Sequence, residues 1–91
     1  MFDLYFRKKR CIPSRDALND MVRHNVSPTM VRLIIEEGED YRNSRMGKQE
    51  VGCAIHKGES IIFVKLVPSY SYSLDEDVWL IKHVGIKRRG K

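Results

Sequence analysis

The sequence predicts a single α+β domain in which two N-terminal helices pack on an antiparallel sheet of three to four strands. Three observations predict it. Ser14 and Ser27 each stand as a helix cap just ahead of apolar residues at helical spacing. From Val51 the apolar spacing changes to the alternation of a strand. Between Ser60 and Val67 the β-branched residues concentrate as in a buried strand. A chain of 91 residues holds one hydrophobic core and not two, so the domain spans 1–91, with the basic end 87–91 outside the core as a solvated tail.

Asp3 to Phe6 is aromatic-rich and reads as a short edge strand, which would keep the charges Arg7 to Arg10 at the surface. Pro13-Ser14 opens the first helix, with Asp16 in its favourable first turn and Ala17, Leu18, Met21 and Val22 on the face turned to the core. Asn25 closes it in a left-handed conformation. Ser27 caps the second helix and Pro28 takes its first position, where a missing N–H has no consequence. Met30, Val31, Ile34 and Ile35 form its apolar stripe, and Glu36, Glu37 and Gly38 end it. Residues 39–49 lack apolar period and read as an exposed connection. Val51, Cys53 and Ile55 then alternate with Gly52, Ala54 and His56, and Lys57-Gly58-Glu59 makes a hairpin turn. Ser60 to Val67 follows as the central strand, covered by the helices on its Ile62, Val64 and Leu66 side and partly open on the other. Pro68 stops that ladder, Asp75 to Asp77 form an acidic turn, and Val78 to Val84 is the last strand.

Composition narrows the classes of function. Apolar residues are 42% and charged residues 32%, a globular mixture. The longest aliphatic or aromatic runs, Ile61 to Val64 and Val78 to Ile81, fall far short of the ~20 residues of a membrane helix, and from residues 1–10 no secretory signal is expected. A cytoplasmic protein without a membrane partner is expected. Cys11 and Cys53, the only cysteines, read as reduced and partly buried thiols. Cys53-x-x-His56 has metal-like spacing, but residues three apart in a strand point to opposite faces, so no metal site is assigned. Gly47, Gly52 and Gly58 make no phosphate-cradling pattern, and no serine stands in a nucleophile elbow, so neither a nucleotide cofactor nor a serine hydrolase is expected.

The net charge of +5 is unevenly spread: residues 1–10 carry four cations against Asp3, residues 82–91 carry five against none, and residues 11–81 carry eight against eleven acids. Basic ends on a mildly acidic body point to a polyanion. Lys87, Arg88 and Arg89 at the C-terminal end and Arg42, Arg45 and Lys48 in the connection are the candidate nucleic-acid contacts, set against the plain reading of a solvated loop and tail. Among His24, His56 and His83, the last is the best candidate for chemistry, because a meander brings its strand beside that of Lys65. Tyr70 and Tyr72 read equally as base stackers and as an edge anchored to the core.

The run Arg15-Asp16-Ala17-Leu18-x-x-Met21-Val22-x-x-x-Val26-Ser27-Pro28-x-x-Val31, then Glu37-Gly38, a basic loop, two strands and Val78-Trp79-Leu80-Ile81-x-His83-Val84, resembles a family of small domains of unknown function. Its members open with a helix-turn-helix, continue in a meander, and are related in fold to the RelE and ParE ribonuclease toxins. The resemblance covers residues 15–84 and departs at Arg15, where members often carry histidine. It implies a RelE-like two-layer sandwich and a metal-independent, toxin-like ribonuclease or RNA-binding protein. RNA or the ribosome would be its target, and a protein such as an antitoxin a further partner. On this reading His83 and Lys65 are catalytic, with Arg45 and Lys48 stabilising phosphate charge. A non-catalytic nucleic-acid-binding module, or a module that docks a partner strand, are the alternatives.

Overall fold

The computed structural model describes residues 4–88. Both helices begin and end where the caps require. In α1 (Arg15–His24) the Ser14 hydroxyl accepts the Ala17 N–H at 3.0 Å, and Asn25 closes the helix at a left-handed φ of 57°. In α2 (Pro28–Glu37) Ser27 accepts the Met30 N–H at 3.1 Å. Gly38 ends α2 against a strand, because a Cβ there would lie 2.8 Å from the Ala54 carbonyl oxygen.

The face of α1 is rotated from the expected one. Leu18 and Val22 are 45% and 83% exposed, and the buried row is Ala17, Asp20 and Met21. An i, i+3, i+4 row with an acid in its centre does not register as apolar, so the sequence selected the neighbouring row.

The sheet departs further. Beside the expected edge strand, β1 (Tyr5–Phe6), a second strand, β2 (Lys9–Pro13), precedes the helices, the two joined through Arg7 and Lys8 at φ 50° and 70°. Positive φ at both central residues is the geometry whose twist suits a two-residue hairpin. Arg and Lys adopt it at ~1–2 kcal/mol each, so nothing in their identity announces the turn. After the helices come β3 (Glu39–Asp40), β4 (Val51–Lys57), β5 (Ser60–Ser71) and β6 (Glu76–Arg88). The described residues thus form one six-stranded sheet in the order β1-β2-β6-β5-β4-β3, mixed because β2 runs parallel to β6 through Cys11, Ile12 and Pro13 against Trp79, Leu80 and Ile81.

This overturns the expected antiparallel sheet of three to four strands under two helices, and with it the RelE-like two-layer sandwich. The strands dominate, and the sheet curls so that Arg7, at the turn of the first hairpin, lines a small cavity with Asp40 and Gly52 of the opposite edge. Lys9 to Pro13 has no alternation to mark it as a strand. It is held by the exposed ladder of β6, a long-range pairing invisible to a local pattern. Strands β5 and β6 also outrun their expected limits. β4 pairs β5 only up to Leu66, so Pro68 falls on an edge, where a strand tolerates proline. Lys87 and Arg88 belong to β6 and not to a tail. Arg89 and residues 90–91, like Asp3, lie outside the described residues.

The core lies between one face of the sheet and the helices. Val31 and Ile34 of α2, Val64 and Leu66 of β5, Ile81 of β6 and Leu4 at the start of the described chain are fully buried together. Each such side chain contributes ~1.5–3 kcal/mol. The other face of β4, β5 and β6 carries the groups of interest.

Candidate nucleic-acid interface

The register of the three central strands sets Gly52, Lys65 and His83 in one row and Ala54, Phe63 and Gly85 in the next. Directly opposed residues of an antiparallel pair share a face. The Phe63 ring lies over Gly85, where a Cβ would stand 2.9 Å from its Cε2 and 3.0 Å from its Cε1. Glycine is what leaves room for the tip of an aromatic ring at this point. Tyr41 then stacks on Phe63 with centroids 4.8 Å apart and planes 10° from parallel. Its backbone crosses the second glycine: Tyr41 N–H donates to the Gly52 carbonyl at 2.9 Å, and its carbonyl occupies the space of the missing Gly52 side chain. The Lys65 ammonium sits 5.7 Å from the Phe63 centroid, so a cation borders the stack.

The segment that carries Tyr41 is pinned to the sheet. Arg42 donates to the Gly47 carbonyl at 2.6 Å and the Glu50 carbonyl at 2.8 Å, so it closes the loop on itself. Asn43 Oδ1 accepts the Arg45 N–H at 3.0 Å, and Met46 is buried beneath. Glu50 accepts from the Lys82 ammonium at 2.6 Å. That hydrogen bond holds the Glu50 carboxyl below its ordinary value; partial burial opposes the shift, and the Gly47 N–H and the charges of Lys82 and Lys65 add to it. Arg45 and Lys48 remain exposed.

A β-bulge between Lys65 and Leu66 admits Lys82 as an extra residue of β6 just before His83. Here α1 closes on β6. Asp20, only 8% exposed, accepts the Val84 N–H at 3.1 Å and faces His83 Nδ1 at 3.3 Å through Oδ2, while Oδ1 takes Arg23 at 2.5 Å. His83 keeps 44% of its side chain exposed. A ring whose Nδ1–H is held by a carboxylate presents Nε2 as a proton acceptor, the arrangement that acid–base chemistry requires. Asp20 escaped the sequence reading, although an acid between Ala17 and Met21 on one helix row was the signal that could have found it.

The register therefore sets Lys65 opposite His83. Arg45 and Lys87 line a cavity of about 400 Å³ with Tyr41, Ser44 and Phe63. Arg42 serves the loop, Lys48 is exposed on it, and Arg88 is exposed at the end of β6 opposite Ser60. The other histidines lie elsewhere: His24 borders a cavity beside Lys57 and Ser60, and His56 is exposed on β4 while Cys53 is buried. Tyr70 and Tyr72 pack edge to face, 5.1 Å apart, near the far end of β5. Both thiols are free; burial, then the charge of Cys53, pushes the Cys11 thiol up to about 12, and burial raises that of Cys53. Neither is a nucleophile near neutral pH.

No family model, curated protein or solved structure matches the chain. No helix among the described residues is long and apolar enough to cross a membrane.

Proposed function

We propose that the protein binds single-stranded RNA across the outer face of its sheet. The observation that carries this reading is the Tyr41–Phe63 stack, seated on two glycines and bordered by Lys65, Arg45 and Lys87. Bases stack on aromatic rings for ~1–3 kcal/mol each, and unpaired RNA splays its bases so that they can do so. Cations beside the rings neutralise the phosphates that follow, in keeping with a net charge of +5. With both thiols free, the cytoplasm is the compartment that suits this reading. Fluorescence anisotropy with a labelled single-stranded RNA tests it. Phe63→Leu should weaken binding roughly 5-fold or more, the equivalent of at least ~1 kcal/mol, with the fold checked by circular dichroism. Unchanged affinity in a folded variant would refute the stacking platform, and no binding by the wild type would refute the reading as a whole.

A second reading, metal-independent RNA cleavage, has its own support in the half-exposed His83, tied to Asp20 and opposite Lys65. On this reading His83 Nε2 takes the proton of a 2′-hydroxyl and the freed oxygen attacks phosphorus. The bond to the 5′ oxygen breaks, that oxygen takes a proton from solvent, and Lys65 stabilises the negative charge. Incubation with RNA in EDTA distinguishes the two: cleavage by the wild type that His83→Ala abolishes supports chemistry, and equal cleavage by both excludes His83.

A further inference from the structure

The cavity bounded by the loop and the Ile86 end of β6 measures about 400 Å³, inside the ~300–1,000 Å³ typical of small-ligand sites. Its two cations differ from Arg42, Lys82 and Lys65 in how they are engaged. Arg42 is taken up by the Gly47 and Glu50 carbonyls, Lys82 by Glu50, and Lys65 lies over the Phe63 ring. The side chains of Arg45 and Lys87 have no partner among the described residues, and both line the cavity beside the Tyr41 and Phe63 rings. The backbone of Arg45 is at the same time fixed by Asn43, so its guanidinium is presented from an anchored turn.

We propose that this cavity takes one unstacked guanine base of the bound RNA, with Arg45 reading its edge and Lys87 meeting the adjacent phosphate. This assignment rests on the RNA-binding reading given above. Guanine offers two adjacent acceptors, O6 and N7, that match the planar fork of a guanidinium; adenine sets an amino donor beside N7, and cytosine presents an amino donor, so each leaves an N–H facing an N–H. Lysine, a point charge on a flexible stem, suits a phosphate instead. Tyr41 and Phe63 supply apolar lining beside the base, and Ser44 supplies a hydroxyl for a further polar edge.

The test is anisotropy with two labelled RNA heptamers, UUUGUUU and UUUAUUU, on wild-type protein and on Arg45→Lys, which keeps the charge and loses the fork. The wild type should favour the guanine heptamer roughly 5- to 150-fold, the range of one good bidentate pair. Arg45→Lys should lose the preference for guanine and bind the two heptamers equally. Equal binding of both heptamers by the wild type, or a preference that survives in Arg45→Lys, would overturn the guanine assignment and leave RNA binding standing. Binding of neither heptamer would overturn both.

Discussion

Replacing Asp20 with alanine probes the junction of α1 and β6 that orients His83. Three interactions are lost. The Val84 N–H, bonded to Asp20 at 3.1 Å in a buried position, is left without its acceptor at ~1–3 kcal/mol. The bond to half-exposed His83, 3.3 Å long, adds ~0.5–1 kcal/mol. Arg23 is 66% exposed, so its ion pair contributes only ~0.3–0.5 kcal/mol. The total is ~2–4.5 kcal/mol. Asp20→Asn keeps an acceptor for Val84 and should lose only ~1 kcal/mol. Urea denaturation followed by tryptophan fluorescence and circular dichroism measures both, with the slope unchanged and the midpoint shifted. A loss below ~0.5 kcal/mol for alanine, the range of an ordinary surface substitution, or an asparagine as costly as alanine, would refute the assignment of Asp20 as the acceptor that joins helix to strand.

Gly85→Ala drives a methyl into the Phe63 ring, so it should destabilise by ~1–3 kcal/mol and weaken RNA binding as Phe63→Leu does; a wild-type melting temperature would contradict the seating of the ring. Acid should loosen the loop: because Lys82 holds the Glu50 carboxyl below its ordinary value of 4.5, the pair stabilises fully above that value and its contribution disappears as pH falls through the lower folded value. Glu50→Gln should remove that portion of the acid sensitivity, under ~1 kcal/mol for a pair whose lysine is half exposed, as seen in stability measured from pH 7 to 3. Cys11, its thiol raised to about 12, should resist iodoacetamide at pH 8 in the folded protein and react once urea unfolds it; prompt labelling of the native chain would show the thiol to be accessible.

Much of the local structure was legible. Ser14, Asn25 and Ser27 set the helix limits through bonds to backbone only three or four residues away, and Gly58 sits at the turn after β4 with a φ of 61°. Ile62, Val64 and Leu66 alternate into the core as their spacing demands. Lys65 and His83 were assigned to neighbouring strands, yet their pairing needed a register that no local pattern specifies. The roles of Arg42 and Arg45 were not separable in sequence, since both are exposed cations of one loop; only the carbonyls of Gly47 and Glu50, presented by the folded chain, engage the first and leave the second to the cavity.

By itself, then, the sequence determined the two helices, their caps, the core face of β5 and the basic character of the connection, because each depends on interactions within a turn or two of chain. Tertiary structure decided that Lys9 to Pro13 joins β6 in parallel, that α1 turns Asp20 inward, and that a bulge carries Lys82 and His83 past Lys65. Backbone N–H and C=O groups are the same in every residue, so which strands pair is set by where the whole chain can satisfy them together and not by the residues of either strand alone.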